Sequence, residues 1–223
     1  MVNETKQCGT IIVGRCKCDS MVQYPFYWCE ELISEAKKFN FKVIDLQEEN
    51  FIERNITKFI NEHNPEFIFL NGHGDEYSAR GFNKSHVITL NKNDHLLKGR
   101  FVHIISCKTA KYLLQSSMDK GCKGYLGYKD KFTYWHLEDD PKKDVIAKMF
   151  QEAVNVASIS LLKGEGIKTA FHKSQEVYEK RINECKEKYF HSHTSNELRD
   201  NLQDIISTLI WNKKHQVYQD IED

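Results

Sequence analysis

Two stretches decide the fold: Phe67-Ile68-Phe69-Leu70-Asn71-Gly72-His73-Gly74 and Phe101-Val102-His103-Ile104-Ile105-Ser106-Cys107. Each opens on a largely apolar run without clear alternation, the pattern of a strand buried on both faces of a parallel sheet. Each then stops abruptly in small or polar residues. Working outward, Thr10-Ile11-Ile12-Val13-Gly14, Phe41-Lys42-Val43-Ile44-Asp45 and Gly124-Tyr125-Leu126-Gly127 read as further strands. Between them lie helical spacings: Trp28, Leu32, Ile33, Ala36 and Phe39, with Pro25 suited to the first turn, and then Ile52, Ile56, Phe59 and Ile60, stopped by Asn64-Pro65. Residues 80–90 read as a hairpin excursion. Ala110, Leu113, Leu114 and Met118 predict a helix starting just after Cys107 and ended by Gly121. Strands alternating with helices predict an α/β protein with a mostly parallel central sheet flanked by helices.

Beyond residue 128 the chain turns helical. Asp140-Pro141 is read as a cap and first turn for a helix carrying Val145, Met149, Ala153 and Val156, and a long helix is expected over 167–189. The polar run His191-Ser192-His193-Thr194-Ser195-Asn196 precedes a last helix with Leu198, Leu202, Ile205, Ile206, Leu209 and Ile210. The expected organisation is one domain over 1–190, with a linker and helix over 191–223 packed on the domain or on a partner.

Composition narrows the function. The 223 residues balance 32 Lys and Arg against 32 Asp and Glu, and only six of the cations are Arg. Nucleic-acid binders ordinarily carry a basic excess rich in Arg, so no nucleic-acid partner is expected. No apolar run approaches the ~20 residues of a membrane helix, and no membrane partner is expected. The first residues hold neither a basic nor an apolar leader, and seven cysteines at irregular spacing do not form a disulfide framework. A reduced, cytoplasmic setting is the expectation.

In open α/β sheets the site lies beyond the carboxyl ends of the strands. Two such ends carry His73 and Cys107, which would sit side by side if their strands are neighbours. A cysteine attacks a carbonyl as its thiolate. A helix N-terminus at Cys107 would favour that charge, and a nearby His73 would exchange its proton. The amides of Gly74 and Cys107 would bind a developing oxyanion. Alone, either residue reads as a core cysteine or a turn histidine. The pair, each directly after an apolar strand, makes a specific pattern.

The order of apolar block, His-Gly, spacer, apolar block and Ser-Cys resembles the caspase-like cysteine peptidases, and within them the CHAT and gingipain-like branch. The resemblance covers about residues 65–180, including Gly121-Cys122-Lys123-Gly124-Tyr125-Leu126-Gly127 and Leu161-Leu162-Lys163-Gly164. It implies a three-layer fold, a catalytic His73, a nucleophilic Cys107 and an oxyanion amide from Gly74. It implies no acidic third member, leaving Asp75 and Glu76 as rim residues. It also implies no metal or other cofactor, a specific protein substrate, and control by an activating or regulatory protein or by cleavage in the loop 129–140. Where caspases and metacaspases line the specificity pocket with a polar residue two before the cysteine, this chain has Ile105, which argues against an Asp or a basic P1 preference. Asp19 from the loop after the first strand, together with Ile105, Tyr128 and Trp135, is expected to wall the substrate site.

Other features are weaker. Cys16-Lys17-Cys18 has one intervening residue where zinc knuckles have two to four; with Cys8 and Cys29 it reads as reduced thiols beside the site rim. Tyr24-Pro25-Phe26-Tyr27-Trp28 reads as core packing or as a substrate wall. Two rival functions stand beside the peptidase: a non-catalytic caspase-like binding module that docks a partner through its last helix, and a thiol amidase acting on a small molecule.

Overall fold

The computed structural model describes residues 9–191 and 196–221. Cys8 and most of the polar run 191–196 lie outside the described residues. Six strands form the main sheet: β1 (Gly9–Arg15), β2 (Phe41–Gln47), β3 (Phe67–Asn71), β7 (Phe101–Ile105), β8 (Gly124–Tyr128) and β9 (Gln216–Asp220), in the order β2-β1-β3-β7-β8-β9. The first five are parallel, and β9 runs antiparallel to β8. Three short strands, β4 (His73–Gly74), β5 (Ser78–Arg80) and β6 (His86–Thr89), make a separate antiparallel sheet. The helices are α1 (Ser20–Lys38), α2 (Glu53–His63), α3 (Leu113–Asp119), α4 (Val145–Leu162), α5 (Gly166–His191) and α6 (Asn196–His215).

Strand side chains alternate between faces, and here both faces are apolar. On one, Ile12, Ile68, Leu70, Val102 and Ile104 meet Ile56 and Ile60 of α2 and Leu113 and Leu114 of α3. On the other, Ile11, Val13, Phe67 and Phe69 meet Leu32, Ile33 and Ala36 of α1, Ala157 and Leu161 of α4, and Ala170 of α5. The result is the expected α/β class, with a mostly parallel sheet between helical layers. A further cluster beside this core joins Trp28, Tyr128, Phe150 and Tyr178 to Leu202, Ile205 and Leu209 of α6. Helix α4 is long and apolar enough to cross a membrane by composition, but 67% of it is buried inside the protein.

Four local readings need correction. Helix α1 begins at Ser20, capped by Asp19, whose Oδ1 accepts the Met21 N–H at 3.1 Å; Pro25 therefore lies inside the helix. Lacking an N–H, it leaves the Met21 carbonyl without its usual helical donor, and the Tyr134 hydroxyl donates there instead at 3.3 Å. Helix α3 starts at Leu113, because the Lys108 and Ala110 amides bond to the Asp130 and Tyr128 carbonyls and Lys108 is left-handed (φ 59°). Helix α4 is capped by Asp144, which accepts the Ile146 and Ala147 N–H groups at 2.9 and 2.8 Å; Asp140 closes only a local turn on Lys142. Lastly, β9 follows α6 without a break and closes the sheet edge, a strand that a short polar sequence did not announce.

Candidate active site

The register of two central strands sets up the site. β3 and β7 are parallel neighbours with Asn71 opposite Ile105. His73 and Cys107 each lie two residues beyond that matched pair, so the topology brings them to one edge of the sheet. The turns that carry them are packed tightly together. The Ser106 hydroxyl donates to the Gly72 carbonyl at 2.8 Å. A β-carbon at Gly74 would stand 2.8 Å from the Ser106 Cβ and 2.9 Å from the Cys107 carbonyl oxygen, closer than any side chain tolerates. Glycine at 74 is thus required by the approach of the cysteine turn.

His73 is held by an acidic partner. Its Nε2 lies 2.8 Å from Asp19 Oδ2. An ionised carboxylate only accepts hydrogen bonds, so Nε2 donates to it, and in the neutral ring this leaves the lone pair on Nδ1. Burial opposes the charge of Asp19, but His73, Lys84 and the Met21 N–H outweigh it and hold the carboxyl below the usual aspartate range. Asp19 was expected as a substrate wall and no acidic partner was expected for His73. The signal that would have found it is its position beyond the end of β1, the strand beside β3, together with its role as cap of α1.

Cys107 is partly buried, and its Sγ donates to the Phe132 carbonyl at 3.7 Å. Burial pushes the thiol up and Asp130 reinforces this, while Lys131 and Lys108 act in the opposite direction. The expected help from a helix N-terminus is absent, since α3 begins six residues later. Cys107 therefore rests as a thiol, and forming its thiolate would take a base. Lys108 is shared with Glu76, which lies 3.4 Å from it and 2.7 Å from Lys111. Asp75 accepts the Tyr77 and Ser78 amides at 2.9 Å and pairs with Arg80. Asp75 thus braces the turn between β4 and β5, while Glu76 ties that turn to the segment after Cys107.

The amide of Gly74 is free of that hairpin. In an antiparallel ladder, hydrogen-bonded and non-bonded pairs alternate. Asp75 N–H bonds to the Ser78 carbonyl, so Gly74 and Ala79 form a non-bonded pair and the Gly74 N–H points away from β5.

His73 and Cys107 line a cleft of about 20 Å³ with Met21, Val22, Pro25, Asn71, Gly72, Ile105, Ser106 and Phe132. That volume suits about one water molecule. Segment 129–144 crosses beside it, from the Phe132 carbonyl at Cys107 to Tyr134 at the start of α1. Phe132 enters the cleft wall, and the Tyr134 hydroxyl bonds to the Ser20 carbonyl at 3.0 Å. The segment is also tied to α6: Trp211 Nε1 donates to the Lys131 carbonyl at 2.8 Å, and Asn212 Nδ2 to the Thr133 carbonyl at 2.6 Å.

Of the expected wall residues, Ile105 lines the cleft. Tyr128 does not: it is fully buried, with its hydroxyl 2.9 Å from that of Tyr178, and is part of the core. Trp135 lies in a separate groove with Lys131, Thr133, Asp204 and Trp211. In the aromatic run, Tyr24 and Trp28 are buried against Phe132 and Tyr134, so they pack beneath the crossing segment.

No family model and no curated protein matches the chain. Among solved structures, it is similar to the Arg-specific cysteine proteinase gingipain R (RGPB), at 12% identity and a TM-score of 0.48, over 70% of this chain and 37% of that one. It is also similar to the complex of the Porphyromonas gingivalis RgpB pro- and mature domains, at 12% identity and a TM-score of 0.43, over 69% and 37%. The chain thus spans little more than a third of the length of these chains.

Proposed function

We propose that the chain is a cysteine peptidase of the caspase-like type, with Cys107 as nucleophile, His73 as its proton partner and Asp19 as the positioning residue of His73. The observation that carries this reading is the packing of His73-Gly74 on Ser106-Cys107 at the matched ends of two parallel strands. Nδ1 of His73 takes the Cys107 proton as Sγ bonds to the scissile carbonyl carbon. The Gly74 and Cys107 amides stabilise the oxyanion. His73 then returns the proton to the leaving amine, a thioester remains, and water hydrolyses it with His73 again as base. Asp19 stabilises the imidazolium formed at each transfer.

The substrate would be a specific protein in the cytoplasm, and Ile105 would favour an apolar P1 side chain. A cleft of about 20 Å³ takes no peptide side chain, so segment 129–144 must move first. Residues 136–140 are its longest exposed run, where cleavage or a partner protein would favour the opened form. The same closure is what a binding module would have, and activity separates the two. The test is labelling with acyloxymethylketone peptides bearing Arg, Lys, Asp, Leu or Met at P1. The expected result is an adduct on Cys107 with the apolar probes, absent in Cys107→Ala and strongly reduced in His73→Ala. An adduct that survives Cys107→Ala refutes the reading.

A further inference from the structure

We propose that Cys18, Asp19 and His73 form a binding site for a thiophilic divalent cation of the zinc type, and that its occupation switches the enzyme off. One ligand atom from each of the three lies within 4.8 Å of the other two. In a tetrahedral zinc shell, with Zn–S about 2.3 Å and Zn–N or Zn–O about 2.0–2.2 Å, neighbouring donors stand about 3.3–3.6 Å apart. The three side chains need to shift by little more than an ångström to reach that geometry. Thiolate, imidazole and carboxylate form a donor set suited to zinc, and three protein ligands leave a fourth position for water.

The site is pre-organised by its neighbours. Asp19 spends Oδ1 on the Met21 N–H, which leaves Oδ2 aimed at His73 Nε2. His73 is held in β4 opposite Arg80. Cys18 Sγ lies 3.4 Å from the sulfur of buried Cys16, which orients it. Lys84 reaches Asp19 Oδ2 at 3.4 Å through an exposed side chain that can swing into solvent. The Cys-Lys-Cys spacing alone is too short for a zinc knuckle; the chain crossing from β3 supplies the imidazole.

Binding costs two proton rearrangements. Cys18 releases its thiol proton to solvent as the S–metal bond forms. Nε2 of His73, now on the metal, gives up its proton, and the neutral ring carries it on Nδ1. Nδ1 then has no lone pair to receive the Cys107 proton. This inhibitory consequence rests on the peptidase reading, whereas the binding itself does not.

Cobalt(II), a spectroscopic substitute for zinc, tests the two separately. Purified reduced protein titrated with Co²⁺ should develop a sulfur-to-cobalt charge-transfer band and intense visible d–d bands, both erased by added Zn²⁺. Cys107→Ala should keep them and Cys18→Ser should lose them. Asp19→Asn, which preserves the helix cap, should weaken Co²⁺ binding about tenfold or more and serves if the serine variant misfolds. With the peptide probe, Zn²⁺ should stop labelling of the native protein and leave Cys18→Ser labelled at its metal-free rate. No band in the native protein, a band that persists in Cys18→Ser, or one that vanishes in Cys107→Ala overturns the site. If no variant is labelled with or without metal, the peptidase reading fails while the cobalt result still decides the metal site.

Discussion

Replacing Gly74 by alanine perturbs the contact between the His73 and Cys107 turns. The added β-carbon would meet Thr109 Cγ2 at 2.7 Å, Ser106 Cβ at 2.8 Å and the Cys107 carbonyl oxygen at 2.9 Å. Unstrained contacts between such atoms begin at about 3.5 Å, so the two turns must part by about 0.6–0.8 Å. None of these atoms is the free end of a flexible side chain, and two belong to the turn that carries Cys107. Overpacking of this kind costs about 1–3 kcal/mol of stability, and misplacement of reacting groups by about 1 Å costs on the order of 10²-fold in rate. Urea denaturation gives the first quantity and the rate of probe labelling at Cys107 the second. Gly164→Ala is the control: its left-handed backbone (φ 75°) is strained by a side chain, but nothing lies within 4 Å. It should lose about 1–2 kcal/mol and keep the labelling rate. A Gly74→Ala protein with native stability and native labelling would refute the close packing of the two turns.

Three further outcomes are expected. Ser106→Ala removes the buried bond to the Gly72 carbonyl and should cost about 1–3 kcal/mol in urea denaturation, with slower labelling of Cys107. Trp211→Ala frees the Lys131 carbonyl from α6; alkylation of Cys107 by a small thiol reagent should accelerate, and an unchanged rate would mean that α6 does not hold the crossing segment shut. His103 is fully buried, its Nδ1 2.8 Å from the Ser158 hydroxyl, and burial pushes its pKa down from 6.5 to about 3. The unfolded chain therefore binds that proton first. The stability this residue supports is complete above pH 6.5 and falls by about 1.4 kcal/mol per pH unit between 6.5 and about 3. Replacing the pair by His103→Leu with Ser158→Ala should flatten that acid limb.

Much of this was legible in the sequence because burial writes itself plainly. Phe67-Ile68-Phe69-Leu70 and Phe101 to Ile105 are apolar because both faces of a central parallel strand are covered, and the abrupt change to Gly72-His73-Gly74 and Ser106-Cys107 marks where the sheet edge opens. What stayed hidden depends on contacts between distant segments. The bond from Asp19 to His73 spans 54 residues, and an aspartate before a helix reads first as a cap, which it also is. Helix α3 starts late because the Lys108 and Ala110 amides are claimed by carbonyls of residues 128 and 130, and no local propensity encodes that competition. Tyr128 reads as a wall residue because it ends a strand at the active edge; its burial follows from Tyr178, on a helix fifty residues away.

The proposed chemistry requires His73 and Cys107 to act as one unit. The measurement that tests it most directly is turnover of the best peptide substrate by the native protein, His73→Ala, Cys107→Ala and the double variant, each verified as folded. Groups that act together in one step lose their effects non-additively. Each single substitution is expected to abolish turnover to the same floor, with the double variant no worse. Multiplying losses, or turnover that survives in Cys107→Ala, would contradict it.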